Sequence, residues 1–201
     1  MIAQFISRFL ALAGLASLAA GCASAPSRFY TLNSTAQPAG LPAVTCAIVV
    51  GPVTVPAMMD HPQITVQVAP NRVEEDELDR WAEPLEKNIA RVVAGDLAVL
   101  LGTTDIATAP WAKFGAAYQV TINVERFNSL LGKSAELEAL WVIQEPAGGT
   151  NFVGHTFAVE PVMGVGYEPL AAAHSRALAK LSGEIAARIR AELTDKPKSG
   201  K

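Results

Sequence analysis

Few side chains in this sequence have the types and spacing that catalysis or metal binding requires. The three histidines, His61, His155 and His174, lie far apart along the chain and lack the close spacing of a metal-binding motif. The chain contains no Gly-x-Ser-x-Gly elbow, no phosphate-binding loop, no dinucleotide fingerprint and no His-Glu-x-x-His sequence. A catalytic or metal site would need the histidines to converge in the fold. The sequence therefore favours a non-enzymatic protein without a metal or a non-covalent cofactor.

The acidic run from Glu74 to Asp79 could hold a hard cation such as calcium. It lacks the regular spacing and the central glycine of a calcium-binding loop. We therefore interpret this run as a solvated face that leads into a helix.

Cys22 has the clearest chemical role, because of the residues that precede it. Residues 1–21 carry one charged side chain, Arg8, and the run 9–20 that follows it is uncharged and largely apolar. That run is shorter than the ~20 residues that a membrane-spanning helix needs. A short apolar core between a basic start and small residues is typical of a cleaved secretory signal peptide.

The junction Leu18-Ala19-Ala20-Gly21-Cys22 resembles the lipobox of bacterial lipoproteins. The resemblance implies cleavage before Cys22 and a covalent lipid, with acyl chains such as palmitate, on its thiol. The lipobox prefers Leu at the position of Ala19, and ordinary cleavage that leaves Cys22 as a plain thiol is the alternative. Ala23, rather than Asp, follows the cysteine, and in the sorting rule for such lipoproteins this indicates the outer membrane.

The composition fits one globular domain. Removal of the signal peptide leaves about 180 residues, enough for a single domain with a substantial core. The net charge of −3 and the scattered Lys and Arg residues argue against nucleic-acid binding. Cys46 opens the apolar run 46–50, and with Cys22 acylated it has no disulfide partner. We interpret Cys46 as a small buried hydrophobe.

The hydrophobic pattern predicts a single α+β domain over residues 29–193. Alternating and apolar runs predict strands at 29–32, 46–55, 63–68, 104–107, 118–124, 135–143 and 151–159. Two amphipathic helices are predicted, one from Pro84 to Gly102 and one from 168 to 193. We expect both helices to pack on one face of a mostly antiparallel sheet. Residues 22–28 then form a short lipid-anchored tether, and residues 194–201 a polar tail.

Asp96 and His174 interrupt the apolar stripes of the two helices. Each falls among apolar side chains when its helix is projected at 100° per residue. A buried carboxylate needs a hydrogen-bonding or charged partner. One hypothesis is that Asp96 and His174 form a buried polar pair. The alternative, which we favour, is that each bonds to a nearby backbone or hydroxyl group.

Several stretches together resemble one protein family. The most distinctive is Arg80-Trp81-Ala82-Glu83-Pro84-Leu85. The others, in chain order, are Phe29-Tyr30-Thr31-Leu32, Gly51-Pro52-Val53-Thr54-Val55-Pro56, Pro62-Gln63-Ile64, Phe127, Trp141 and Ala173-His174-Ser175-Arg176-Ala177-Leu178. Over nearly the whole mature chain, the sequence resembles the PqiC (YmbA) type of ABC-type transport auxiliary lipoprotein. The segment Met58-Met59-Asp60-His61 departs from the Tyr-Leu-Asp-Arg-like pattern of that family.

The resemblance implies a non-enzymatic outer-membrane lipoprotein that faces the periplasm and serves an envelope lipid transport system. Its implied partners are an MCE-type periplasmic protein with its ABC transporter, and further copies of itself in a homo-oligomer. The alternatives are a structural outer-membrane assembly lipoprotein unrelated to ABC transport and, less favoured, a lipid-anchored periplasmic hydrolase. The transport interpretation predicts a surface patch or an exposed edge strand that is used for assembly.

Arg80, Trp81, Glu83 and Pro84 match the most recognisable motif of the family. The resemblance carries over no catalytic residue. We expect structural roles for the motif, in which Trp81 packs in the core and Pro84 starts the first helix. Direct contact with a partner is the alternative.

Overall fold

The computed structural model describes residues 25–109, 115–145, 148–149 and 151–195. Cys22, the predicted signal peptide and residues 196–201 lie outside these ranges. Two long helices are present, α1 (Leu85–Leu101) and α2 (Tyr167–Asp195), and a short 3-10 turn spans Ala57–Met59. The strands in the described residues are β1 (Arg28–Tyr30), β2 (Ile48–Thr54), β3 (Gln63–Ala69), β4 (Arg72–Trp81), β5 (Ile106–Thr108), β6 (Tyr118–Leu130), β7 (Ser134–Gln144) and β8 (Phe152–Pro161).

The strands form two sheets, with orders β1-β4-β3 and β5-β2-β6-β7-β8. The predicted α+β single domain is therefore confirmed, but the one mostly antiparallel sheet is two mixed sheets. Strand β1 is parallel to β4, and β2 is parallel to both of its neighbours, β5 and β6. Strands β2 and β5 are parallel because the connection between them contains α1. This helix carries the chain back to the end of the sheet at which β2 begins, as crossover connections do.

Helix α1 begins and ends where its sequence predicts. Pro84 precedes the first helical residue, and its fixed φ suits a helix start. At the other end Gly102 adopts the left-handed conformation (φ +67°), and its N–H donates to the carbonyl of Ala98 at 2.9 Å. The buried apolar face consists of Leu85, Ile89, Val92, Val93, Leu97 and Leu101.

Helix α2 packs against α1 and covers β7 and β8. Its buried stripe consists of Leu170, Leu178, Leu181, Ile185 and Ile189. On the β8 side, Glu160 binds Arg176 at 2.9 Å and Lys180 at 2.7 Å, and Arg188 lies 3.8 Å from the ring centre of Phe152. Neither helix combines enough length with enough apolar character to cross a membrane.

The antiparallel meander β6-β7-β8 supplies the floor of the core. Register brings Ile122, Trp141 and Gly154 side by side on its buried face. Gly154 is required there, because a Cβ on it would lie 2.0 Å from Cζ2 of Trp141. The Trp141 indole also donates to the hydroxyl of Thr156 at 3.0 Å. Cys46 is buried at the other end of this sheet, and burial raises the pKa of its thiol, as expected for a small core residue.

The acidic run differs from its predicted form. Residues 74–79 belong to strand β4, which pairs antiparallel with β3 and leads through residues 82–84 into α1. Glu74 and Glu75 are solvated as expected, but Asp79 is fully buried. The strand is stabilised by cross-strand pairing and by the partners of Asp79, neither of which is visible in a run of adjacent acidic residues.

Candidate functional site

The family motif lies at the corner where β4 ends and α1 begins. Trp81 is buried, with its ring edge-on to Phe127 (centroids 6.2 Å apart) and to His174 (6.4 Å). Arg80 donates from Nε to the carbonyl of Glu77 at 3.0 Å. This corner therefore joins the three-stranded sheet, the meander and α2.

Glu83 positions an arginine of α1. Its Oε1 accepts from Nε of Arg91 at 3.0 Å and from Nη2 at 2.8 Å. The same Nη2 donates to the carbonyl of Leu32 at 2.9 Å and to Oδ1 of Asn88 at 2.6 Å. Because Asn88 also accepts the N–H of Leu32 at 3.2 Å, Glu83 and Arg91 together fix the chain that leaves β1.

A second polar cluster ties β1 to β4. Arg28 binds the buried carboxylate of Asp79 with two bonds, Nε to Oδ1 at 2.7 Å and Nη2 to Oδ2 at 2.5 Å. The hydroxyl of Tyr30 donates to Oδ1 of Asp79 at 2.6 Å. Burial, and then the bond to Asp79, raises the pKa of Tyr30 to about 12, so it remains a donor at neutral pH. The cluster holds the residues that directly follow the predicted tether.

His174 is fully buried in α2 and is held by aromatic contacts. Its ring stacks on Phe127 with 3.9 Å between centroids and 11° between planes. Its Nε2 lies 2.9 Å from the hydroxyl of Ser129. Burial lowers its pKa to about 3, so the imidazole is neutral at physiological pH.

Asp96 is also fully buried, and its carboxylate accepts four hydrogen bonds. Oδ1 accepts the hydroxyl of Ser34 at 2.6 Å and the N–H groups of Thr35 and Ala36, each at 3.0 Å. Oδ2 accepts the hydroxyl of Ser182 at 3.2 Å. Asp96 and His174 thus have separate partners, which are backbone and hydroxyl groups. Asp96 joins both helices to the loop after β1.

The sheet register brings one histidine to two carboxylates that the sequence separates. On the outer face of the meander, Nε2 of His155 lies 3.1 Å from Oε1 of Glu138, and the ligand atoms of Glu125, Glu138 and His155 all lie within 4.8 Å of one another. Such a set could bind a metal ion. Arg126 already pairs with Glu138 at 3.4 Å, which supplies positive charge without an ion.

Strand β8 presents an apolar surface at the edge of the five-stranded sheet. In the described residues it pairs with β7 alone, in a register without a bulge. Val153, Phe157 and Val159 point outward and are 72%, 55% and 43% exposed, and Leu140 of β7 adds to the same surface. We call these four residues the β8 strip. Sequence alternation predicted this strand, but only the strand order shows that it is an edge.

The sequence profile of one family matches residues 30–186, and that family is described as the ABC-type transport auxiliary lipoprotein component. The chain belongs to this family. No curated protein matches the chain in a sequence search. The resemblance drawn from the motif residues is thereby confirmed, and a family of auxiliary transport lipoproteins fits the non-enzymatic expectation.

Solved structures share the fold of this family member. One uncharacterised protein superposes with a TM-score of 0.68 at 16% identity, covering 82% of this chain and 99% of its own. Protein XCC0632 from Xanthomonas campestris superposes with a TM-score of 0.67 at 18% identity, covering 81% of this chain and 94% of its own. The whole domain, rather than a fragment of it, is therefore common to these proteins.

Proposed function

We propose that this auxiliary lipoprotein is a non-enzymatic assembly and docking module of an MCE-type ABC lipid transport system. In this proposal Cys22 carries the lipid anchor, and the domain faces the periplasm from the outer membrane. Membership of the transport auxiliary family supports the connection to an ABC system. The lipobox-like junction and Ala23 support the anchor and its location.

The observation that carries the proposal is the β8 strip. Ten consecutive residues form this edge strand; its outer face carries no Lys, and among the described strands only β7 pairs with it. Native proteins usually protect such edges with charges, bulges or covering segments, because an apolar edge recruits another strand. The exposed apolar side chains add a second reason for association. A module whose role is assembly would need a surface of this kind.

A second copy of the chain fits this edge. In antiparallel pairing centred on Thr156, Val153 faces Val159 of the second copy, and His155 faces Phe157. The valines then pair with each other, each His155 lies against a Phe157 ring, and no like charges are opposed, which favours cross-strand pairing. We therefore assign the strip to the homo-oligomer.

Co-purification tests the proposed function. The full-length protein, carrying a C-terminal tag, is extracted from envelopes in mild detergent, and the captured proteins are identified by mass spectrometry. We expect enrichment of an MCE-type protein and of the ATPase or permease of an ABC transporter over a capture with the Cys22→Ser protein. Recovery of outer-membrane assembly proteins alone would instead favour a structural role without ABC transport. Recovery of only unrelated proteins would overturn the proposal.

A further inference from the structure

A pocket of about 440 Å³ lies beside the family motif, where β1, the segment before β3 and the start of α1 meet. Its volume is within the range of ~300–1,000 Å³ that is usual for small-molecule sites. Trp81 and Leu85, both buried, form its inner wall. Exposed apolar residues surround its mouth, and these are Phe29, Pro62, Ala82 and Pro84.

Polar groups are confined to the rim of this motif pocket. The carboxylate of Glu83 is held by Arg91, and Asp60 is exposed on the opposite side. His61 also lines the pocket. The pocket thus combines an apolar interior with polar atoms where a headgroup would lie.

The pocket is close to the predicted point of membrane attachment. Phe29, which is 64% exposed at the mouth, follows Cys22 by seven residues. Seven residues span at most about 25 Å when fully extended. The mouth of the pocket therefore remains within this distance of an acylated Cys22.

We propose that the motif pocket binds one acyl chain of a zwitterionic membrane phospholipid. This inference rests on the lipid anchor of the proposed function, because the tether is what brings the mouth to the bilayer. The apolar walls receive the chain, and the exposed Asp60 lies where an ammonium headgroup would be favoured. The acidic rim disfavours a purely anionic lipid. The motif residues Trp81, Glu83 and Pro84 thereby gain a binding role in addition to their structural roles.

Quenching of Trp81 by brominated lipid tests this inference. The lipidated full-length protein with Trp111→Phe is reconstituted into phosphatidylcholine vesicles with or without bromine on the acyl chains. The emission of Trp81 is taken as the difference from the same protein with Trp81→Phe, in which only the core residue Trp141 emits. We expect a loss of about half of the Trp81 emission, because a ligand buried in the pocket places its chain against the indole. The Trp81→Phe protein should lose this quenching, and so should Phe29→Glu. Val68→Glu, at an exposed apolar residue of β3 that does not line the pocket, is the matched control and should retain it.

Flotation of the same vesicles separates the two proposals. Protein that floats with the vesicles but shows no quenching of Trp81 would overturn the acyl-chain site while leaving the anchor intact. Protein that fails to float would overturn the anchor and the inference together. Quenching that persists in Phe29→Glu, with the fold intact by circular dichroism, would also overturn the site. A blue shift of Trp81 emission only when a co-purified protein is added would assign the pocket to a protein side chain instead.

Discussion

Two polar side chains in the apolar stripes show what a sequence can indicate at the residue scale. Helical periodicity is enough to place Asp96 and His174 in the core and to require partners for them. It does not identify those partners. The donors to Asp96 come from a loop about sixty residues earlier and from Ser182, and the aromatic wall around His174 comes from two different sheets. Only the tertiary fold joins segments that lie so far apart.

Buried His174 predicts a loss of stability in mild acid. Burial lowers its pKa to about 3 in the folded protein, whereas the unfolded chain takes up a proton near its ordinary value of 6.5. The free energy of unfolding should therefore fall as the pH decreases from 6.5 toward 3. Above pH 6.5 this histidine causes no loss of stability. At pH 5, protonation of this single histidine in the unfolded chain lowers the free energy of unfolding by about 2 kcal/mol.

Urea unfolding at pH 7.5 and pH 5.0 measures the effect. His174→Phe keeps an aromatic ring on Phe127. Between pH 7.5 and pH 5.0, its free energy of unfolding should drop by about 2 kcal/mol less than that of the wild type. Ser129→Ala is the control, because it removes the hydrogen bond of His174 but leaves the imidazole in place. Equal drops in the wild type and in His174→Phe would show that this histidine does not set the acid response.

At the element scale, local signals predict the helices better than the sheets. Pro84, Gly102 and a clear apolar stripe locate α1 to within a residue at each end. Strand β4 is not predicted by such local signals, because its first half is mostly charged. It forms a strand through its pairing with β3, which the local sequence does not indicate. The division into two sheets is not predicted either, because strand order depends on crossover connections rather than on the alternation of apolar and polar residues.

The β8 strip predicts that one charge will weaken self-association. Phe157→Glu places a carboxylate at the centre of the proposed pairing of two copies, where an aromatic side chain is expected to be an anchor. We expect the dissociation constant to rise by about 30-fold, or about 2 kcal/mol. Light scattering of the detergent-solubilised protein over a concentration series measures this change.

Val68→Glu is the matched control for this experiment. Val68 lies on β3, in the other sheet, and is 42% exposed, so that it offers a comparable apolar side chain away from the strip. Its substitution should leave the oligomer unchanged. A monomeric wild type at every concentration, or equal effects of the two substitutions, would show that β8 is not the interface.

At the scale of the whole molecule, the proposed anchor at Cys22 is separate in sequence from the described core. The described core is formed by residues 32–189, all well after Cys22. Cys22→Ser should therefore keep the thermal unfolding midpoint of the wild-type domain. The variant should move from the membrane fraction to the soluble fraction and lose support of transport, because the proposed acyl chains on Cys22 would no longer hold the domain at the membrane.

Fractionation with immunoblotting and a lipid transport assay check this prediction. Ser24→Ala, two residues further along, is the control and should remain in the membrane fraction with full activity. A soluble Cys22→Ser protein that supports transport at the wild-type level would show that anchoring is incidental.

The candidate sites were accessible from the sequence to different degrees. The motif Arg80, Trp81, Glu83 and Pro84 could be found by its residues, since it is a contiguous string. The motif pocket could not, because Phe29 and Pro62 reach it through the pairing of β1 and β3 with β4. The edge position of β8 likewise follows from strand order alone.

The loop after β1 packs on residues that are synthesised much later than the loop itself. Asn33 donates to the hydroxyl of Ser175, 142 residues later, and the carbonyl of Pro42 accepts from Arg190. In a chain made N-terminus first, these partners follow the loop by 142 and 148 residues. The loop cannot form these contacts until α2 has been synthesised. The proposed modification of Cys22 requires only the residues around Cys22. The proposed acylation of Cys22 could therefore precede closure of the domain.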